Sequence, residues 1–262
     1  MTTSVRRMPG KRSATVLRLA VVWLVAVAAL ASCGRVERSH TAEETLALAA
    51  AGLSGTDRYG FSVRTELLLG DERMYELEAY EGEVVGHKQL KVWPKGGLKQ
   101  LDAVSGDDAR MRNPAGWLAR VEQLDKSVEY APEGADGSKV RLRIRLAPDA
   151  AKREMEAAMR EAFEHVADEA EQLAATAGQE GRHDADALRR AYAEEIERSR
   201  TKLDRMLATL EVDSAITLDI ERSRLLPVRM EETTTMRYDT ESGPRSENRA
   251  TFVTFEGYDG RP

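Results

Sequence analysis

Apolar residues recur at different spacings along this chain, and each spacing predicts its own kind of element. Between Tyr59 and Leu69 the period is two. Tyr59, Phe61, Val63, Thr65, Leu67 and Leu69 fall on one side, and Ser62, Arg64 and Glu66 on the other. Gly70-Asp71 is a turn signal, after which Tyr75, Leu77 and Ala79 resume the alternation with Glu76 and Glu78 between them. One dry and one wet face on two adjacent runs predict an antiparallel hairpin. Further strands are predicted around residues 84–93 and 98–104, divided by Pro94-Lys95-Gly96-Gly97. The clearest strand sets Val140, Leu142, Ile144 and Leu146 against Lys139, Arg141, Arg143 and Arg145. After Asp213 the same period returns in Ile216, Leu218 and Ile220, then over 226–238 and 250–258.

Elsewhere the steps are three and four residues. Thr41 followed by Glu44 has the form of a capping box, and Leu46, Ala49, Ala50 and Leu53 form a stripe that Ser54-Gly55 ends. Pro114 opens a short helix with Trp117, Leu118, Val121 and Leu124 on one face. Pro148 stands where a long helix would begin. Met155, Met159, Ala162, Val166, Leu173 and Ala177 then recur at helical steps until Gly178-Gln179-Glu180-Gly181. Leu188, Tyr192, Ile196, Leu203, Met206 and Leu210 make a second stripe. Two amphipathic runs joined by a Gly-bounded turn predict an antiparallel helical hairpin over 148–210, with a coiled-coil-like seam. The fold class is therefore α+β: a curved antiparallel sheet, covered by helices on its apolar face, with a long inserted hairpin.

Three segments carry a family resemblance. They are Asn113-Pro114 leading into Trp117-Leu118; Ile216-Thr217-Leu218-Asp219-Ile220 with Leu226-Pro227-Val228-Arg229-Met230; and Thr254-Phe255-Glu256-Gly257-Tyr258. With them the chain outside the hairpin resembles the LolA/LppX-like (LprG-like) group of exported lipid-handling proteins and lipoproteins. The resemblance implies a half-barrel whose sheet and helices hold acyl chains or other apolar molecules between them. Candidate lining residues are then Phe61, Val63, Leu67, Leu77, Leu142, Ile144, Ile216, Leu218, Met230 and Phe255. The competing reading is plain core, since inward apolar residues of a sheet pack against something in every protein; an unfilled volume would turn core into a site. The hairpin is longer than the family's helical cover, so the concave face is either open to a ligand or capped.

The first residues supply an address. Arg6, Arg7, Lys11, Arg12 and Arg18 precede an uncharged run from Leu19 to Leu30, the plan of a secretory signal, and the run is short of the roughly 20 residues that span a bilayer. It ends in Leu30-Ala31-Ser32-Cys33, which resembles the lipobox of bacterial lipoproteins. That resemblance implies cleavage between Ser32 and Cys33, a diacylglyceryl group on the cysteine sulfur and further acylation (palmitate or a similar chain). The expected layout is a signal at 1–32, a lipidated tether at 33–40 and one domain at 41–262, held extracytoplasmically on the bacterial membrane through its lipid. Each buried methylene adds about 0.8 kcal/mol, so two or three chains give lasting attachment.

Charge and composition narrow the function classes. Removal of 1–32 leaves 230 residues with 34 basic and 45 acidic side chains, a net charge of −11. That balance argues against nucleic acid and against a polybasic membrane patch. Cys33 is the sole cysteine, so neither a disulfide nor a catalytic thiol remains. His40, His87, His165 and His183 show no ligand spacing. His183-Asp184-Ala185-Asp186 reads more simply as a helix start than as a metal cluster. No nucleophile elbow or phosphate loop is present. No enzyme, metal or cofactor is expected beyond the acyl lipid on Cys33. Two readings remain: a lipoprotein that binds a lipid or other apolar ligand, and a non-enzymatic envelope protein whose hairpin binds a protein partner. The anchor has a direct test. Cys33→Ala is expected to leave residues 1–32 attached and to abolish metabolic labelling with palmitate; unchanged processing and labelling would contradict the lipobox.

Overall fold

Thr41 begins the first helix through its own side chain. Its Oγ1 accepts from the Glu44 N–H at 3.1 Å, and Glu44 Oε2 accepts from the Thr41 N–H at 2.9 Å. This reciprocal cap starts α1 (Ala42–Gly55), which buries Leu46, Ala49, Ala50 and Leu53 and stops where the Thr56 N–H donates to the Leu53 carbonyl. The computed structural model describes residues 40–69, 73–87, 89–95, 113–131, 137–179 and 185–260. The signal, Cys33 and the tether before His40, the turn at Gly70-Asp71 and the strand expected over 98–104 lie outside the described residues. So do His183 and Asp184.

The strands are β1 (Arg58–Leu69), β2 (Arg73–Val85), β3 (Gln89–Pro94), β4 (Lys126–Tyr130), β5 (Lys139–Leu146), β6 (Glu211–Glu221), β7 (Leu226–Thr240) and β8 (Gly243–Glu256). They form one sheet in the order β3-β2-β1-β8-β7-β6-β5-β4, and each neighbouring pair is antiparallel. The sheet is curved and unclosed, and among the described residues β3 and β4 are its two edges. Between them α2 (Pro114–Gln123) is capped by Asn113, whose Oδ1 accepts from the Ala115 N–H at 3.1 Å; it packs against α1. The curved antiparallel α+β sheet expected from the alternation is thus the observed architecture, and its open form is the half-barrel that the resemblance implies.

Registers align the inward side chains into rows that cross the sheet. Val63 of β1 sits beside Val253 of β8, then Met230 of β7, Leu218 of β6 and Leu142 of β5. All five are buried, and with Leu46, Leu53, Leu118 and Val121 of the helices they belong to one core. Full burial of such a side chain contributes about 1.5–3 kcal/mol. On the outer face Arg141 holds Asp219 through two hydrogen bonds of 2.6 and 2.8 Å, and Arg143 reaches Glu129 at 3.4 Å. Those two members of the arginine stripe therefore pair with acids across strands.

The hairpin is formed by α3 (Pro148–Gln179) against β6 and α4 (Ala185–Ala208) against β7. Its seam differs from the expected one. Ala167 and Ala174 are buried, whereas Val166 and Leu173 are 63% and 65% exposed. The alanine side lets the two helices approach closely, and Arg160–Asp204 (2.7 Å) and Arg200–Glu164 (3.0 Å) tie them across the junction. Two further differences concern strands. β4 was not anticipated, because its only buried residue is Val128, and β8 starts at Gly243, well before residue 250. Residues 243–249 are polar on both faces and carry no alternation; they pair because Gly243, at φ 111°, turns the chain back onto β7.

One glycine is set by close approach. Gly82 lies opposite Phe61, and a Cβ there would meet the Phe61 ring at 2.3 Å. Gly82→Ala must displace a fully buried ring, and we expect it to lower stability by about 1–3 kcal/mol in urea titration. A neutral or stabilised variant would contradict this packing.

Candidate functional site on the concave face

The inward phase of each strand decides which side chains reach the concave face. Phe61, Val63, Leu142, Ile144, Ile216, Leu218, Met230 and Phe255 all lie in that phase and are buried within the continuous core. Leu67 shares the phase but is only half-buried. Leu77 is the extra residue of a β-bulge: Thr65 pairs with Glu78 and Glu66 with Glu76, leaving Leu77 without a partner. Its side chain lies outside the described residues. On β2 the buried positions are Tyr80, Gly82 and Val84, opposite Val63, Phe61 and Tyr59, so the dry face there is the reverse of the Tyr75–Leu77–Ala79 alternation.

Burial changes along the strands. On β8 Phe255 and Val253 are sealed, while Thr251, Arg249 and Glu247 in the same phase are half-buried; on β1 Phe61, Val63 and Thr65 are buried and Leu67 is half-buried. The β1–β8 face is thus completely buried at one end and incompletely buried at the other. Across the boundary runs a polar stripe that apolar patterning did not reveal. One row reads Thr65, Thr251, Glu232, Ile216, Ile144, and the next Leu67, Arg249, Thr234, Ser214. The signal was available: Glu232 and Thr234 alternate in phase with Met230 and Met236, and Arg249 and Thr251 with Val253 and Phe255.

The stripe has its own bonding. Ser214 and Thr234 both donate to Glu232 Oε1, at 3.1 and 3.2 Å, and the Thr65 and Thr251 hydroxyls lie 3.2 Å apart. Burial pushes the Glu232 carboxyl above the usual carboxylate range, although Arg249 and the two hydroxyl donors pull the other way. The Glu247 carboxylate accepts from the Tyr238 hydroxyl. Arg249 makes no hydrogen bond or ion pair among the described residues.

Beneath α2 the face is aromatic. Tyr59 lies 6.2 Å from Phe61, 6.3 Å from Phe255 and 6.1 Å from Tyr258, ring centre to ring centre. The Tyr258 hydroxyl donates to the Pro227 carbonyl. That of Tyr59 is buried without a hydrogen-bond partner among the described residues, beside the Ala115 amide that already serves Asn113, and its pKa is pushed up to about 12. An unpaired buried hydroxyl costs about 1–3 kcal/mol.

Other chemistry is sparse among the described residues. None forms a group of three or more His, Cys, Asp or Glu fit for a metal. His165 faces Glu169 at 3.4 Å on the exposed side of α3, and His87 faces Asp57 at 3.6 Å. A cleft of about 670 Å³ at the root of the hairpin is lined by Lys152, Glu211, Arg237, Asp239 and Arg245 among others, charged walls that do not suit an acyl chain. No helix among the described residues is long and apolar enough to cross a membrane.

No family model matches this sequence, and no curated protein matches it. Among solved structures it is similar to lipovitellin, from a study of lipid–protein interactions, at 9% identity and a TM-score of 0.32 over 78% of this chain; it spans a quarter of the lipovitellin chain. It is also similar to a LolA superfamily protein from Nitrosomonas europaea, at 9% identity and a TM-score of 0.25, over 83% of this chain and 92% of that one.

The Glu232 environment has a measurable consequence. A carboxyl whose native pKa is raised binds its proton more tightly in the folded than in the unfolded chain, so stability falls as pH rises through the native value. Glu232→Gln removes that loss and keeps an acceptor for Ser214 and Thr234. Its thermal midpoint should exceed that of the wild type by a few degrees at pH 7, with the gap closing below about pH 4. A variant less stable than wild type at pH 7 would show that the charged carboxylate stabilises the fold.

Proposed function

We propose that this chain is an extracytoplasmic lipoprotein, anchored through Cys33, that binds a lipid or other apolar ligand against the concave face of its open half-barrel. The observation that carries the reading is the uneven cover of that face. Sealed apolar side chains at Phe61, Val63, Val253 and Phe255 continue, along the same two strands and in the same phase, into half-buried positions at Leu67, Thr251 and Arg249. A ligand laid along Leu67 extends an existing apolar surface, and each buried methylene contributes about 0.8 kcal/mol. The sheet tolerates this because its ladder bonds run strand to strand. The helices α1 and α2 attach through side-chain packing and side-chain bonds, Thr45 to Tyr130 and Arg120 to Glu154, and can shift without breaking a ladder bond. An acylated Cys33 would keep the face near the membrane from which an apolar ligand comes.

A second reading has one specific observation behind it. Val166 and Leu173 lie seven residues apart on α3, hence on one helical side, and both are largely exposed; Tyr192 of α4 is 38% exposed. Exposed apolar positions of this kind are what a partner protein would cover.

Native mass spectrometry with lipid extraction separates the two. The compact unit Thr41–Pro262, which holds the whole sheet and core, is purified from a bacterial host. We expect a co-purifying acyl lipid, and uptake of a fluorescent fatty acid that weakens by about tenfold or more in Leu67→Glu, since a charge there must be desolvated on binding. Val166→Glu with Leu173→Glu should leave lipid binding unchanged. A clean apo mass together with no fatty-acid uptake would overturn the ligand reading and favour the hairpin.

A further inference from the structure

The inward stripe contains a cation that, among the described residues, neither a hydrogen bond nor an ion pair holds, although its charge reaches the Glu232 carboxyl. On the outer face four arginines are matched to acids: Arg64 with Glu66 (3.1 Å), Arg141 with Asp219 (2.6 Å), Arg143 with Glu129 (3.4 Å) and Arg229 with Glu231 (3.5 Å). Arg249 faces the other way, in a row between Leu67 and Thr234. It is half-buried and, among the described residues, has neither a hydrogen bond nor an ion pair. The two carboxyls in its phase accept their hydrogen bonds from other groups, Glu232 from the Ser214 and Thr234 hydroxyls while feeling the arginine's charge, and Glu247 from the Tyr238 hydroxyl. Drawing a guanidinium partly out of water with only a longer-range attraction to Glu232 is costly, and a chain with 45 acidic residues does not lack candidate partners for a direct pair.

We infer that Arg249 is the headgroup subsite of the concave face, taking the oxyanion, carboxylate or phosphate, of an amphiphile whose chain runs along Leu67 toward Val63 and Val253. The inference rests on the ligand reading above and names the class of ligand. Position supports it. Val253 is four residues from Arg249 on the same strand and face, ~13 Å away, so a single extended acyl chain can place its head at the arginine and its tail on the sealed apolar rows. The guanidinium offers a planar fork that matches a carboxylate or phosphate in two parallel hydrogen bonds, and the Thr65–Thr251 hydroxyl pair in the adjoining row supplies further polar groups. The neighbouring Glu232 carboxyl already receives two hydroxyl donors and makes no ion pair with Arg249 among the described residues, which leaves the fork for the ligand.

The test compares dodecanoate, dodecanol and acetate by isothermal titration calorimetry on Thr41–Pro262, with wild type, Arg249→Gln and Arg249→Lys. Dodecanoate should bind wild type about 10- to 100-fold more tightly than dodecanol, the range of a charge-assisted hydrogen bond. Arg249→Gln should bring the two to near parity by weakening dodecanoate alone, and Arg249→Lys should keep part of the preference. Equal affinity of wild type for acid and alcohol would overturn the assignment while leaving the ligand reading intact. So would an Arg249→Gln variant that weakens both probes alike, the mark of a structural role. Acetate binding as tightly as dodecanoate would identify a free-anion site in place of a headgroup subsite. Binding of neither amphiphile would remove the ligand reading and the inference with it.

Discussion

Ten residue pairs between β1 and β8, from Gly60 with Glu256 to Leu69 with Glu247, join the beginning of the described fold to its end. Without that seam the chain would hold two separate meanders, β1-β2-β3 and β4 to β8, with Tyr59 and Phe61 on one and Phe255 on the other. With it, Tyr59 and Phe61 come beside Phe255 and Tyr258, and Val63 continues the row of Val253, Met230, Leu218 and Leu142. The concave face is therefore a product of long-range pairing and cannot form from either meander alone. The same seam leaves β3 and β4 as edges, so the sheet is held by ladder bonds in its middle and stays open at its sides.

That arrangement divides the inner face by chemistry. Under α1 and α2 the rows are aromatic and aliphatic; farther along β1 and β8 they become Thr65 with Thr251, then Leu67 with Arg249. The transition coincides with the limit of complete burial. A polar group inside a packed core is expensive unless it is bonded, and Ser214 and Thr234, both nearly fully buried, meet that requirement by donating to Glu232. Arg249 does not, and it lies where water still reaches. The Tyr59 hydroxyl is the other unmatched group, sealed beneath α2 with no partner among the described residues. Both are polar groups on the concave face, one at its wet end and one at its dry end.

Much of this was legible in residue order. The capping box at Thr41 and Glu44, the alternation from Tyr59 to Leu67 and from Val140 to Leu146, and Pro148 at the head of the hairpin each act locally, so local pattern reveals them. What escaped depends on neighbours distant in sequence. β4 has one buried residue, Val128, and is a strand only because β5 pairs with it. The polar start of β8 pairs because β7 is already in place. The seam of α3 falls on Ala167 and Ala174, one residue beyond the larger Val166 and Leu173, since close helix approach outweighs the burial those larger side chains would gain. The bulge at Leu77 reverses the phase of β2, which the surrounding glutamates could not indicate. The polar stripe was missed for a different reason: Glu232 and Arg249 occupy inward positions that a search for apolar residues passes over.

Hydrogen exchange of the backbone amides, with and without saturating dodecanoate, tests the central claim that the incompletely covered end of the β1–β8 face receives a ligand. Without ligand, β6, β7 and the Phe61–Phe255 end of the β1–β8 seam should exchange slowest, and α1 and α2, held by packing and a few side-chain bonds such as Thr45–Tyr130 and Arg120–Glu154, should open first. Dodecanoate should then add protection around Leu67, Arg249 and Thr251 and in the helices above the aromatic rows, leaving α3 and α4 unchanged. Added protection confined to the helical hairpin, or none at any amide while the protein remains folded, would contradict the account.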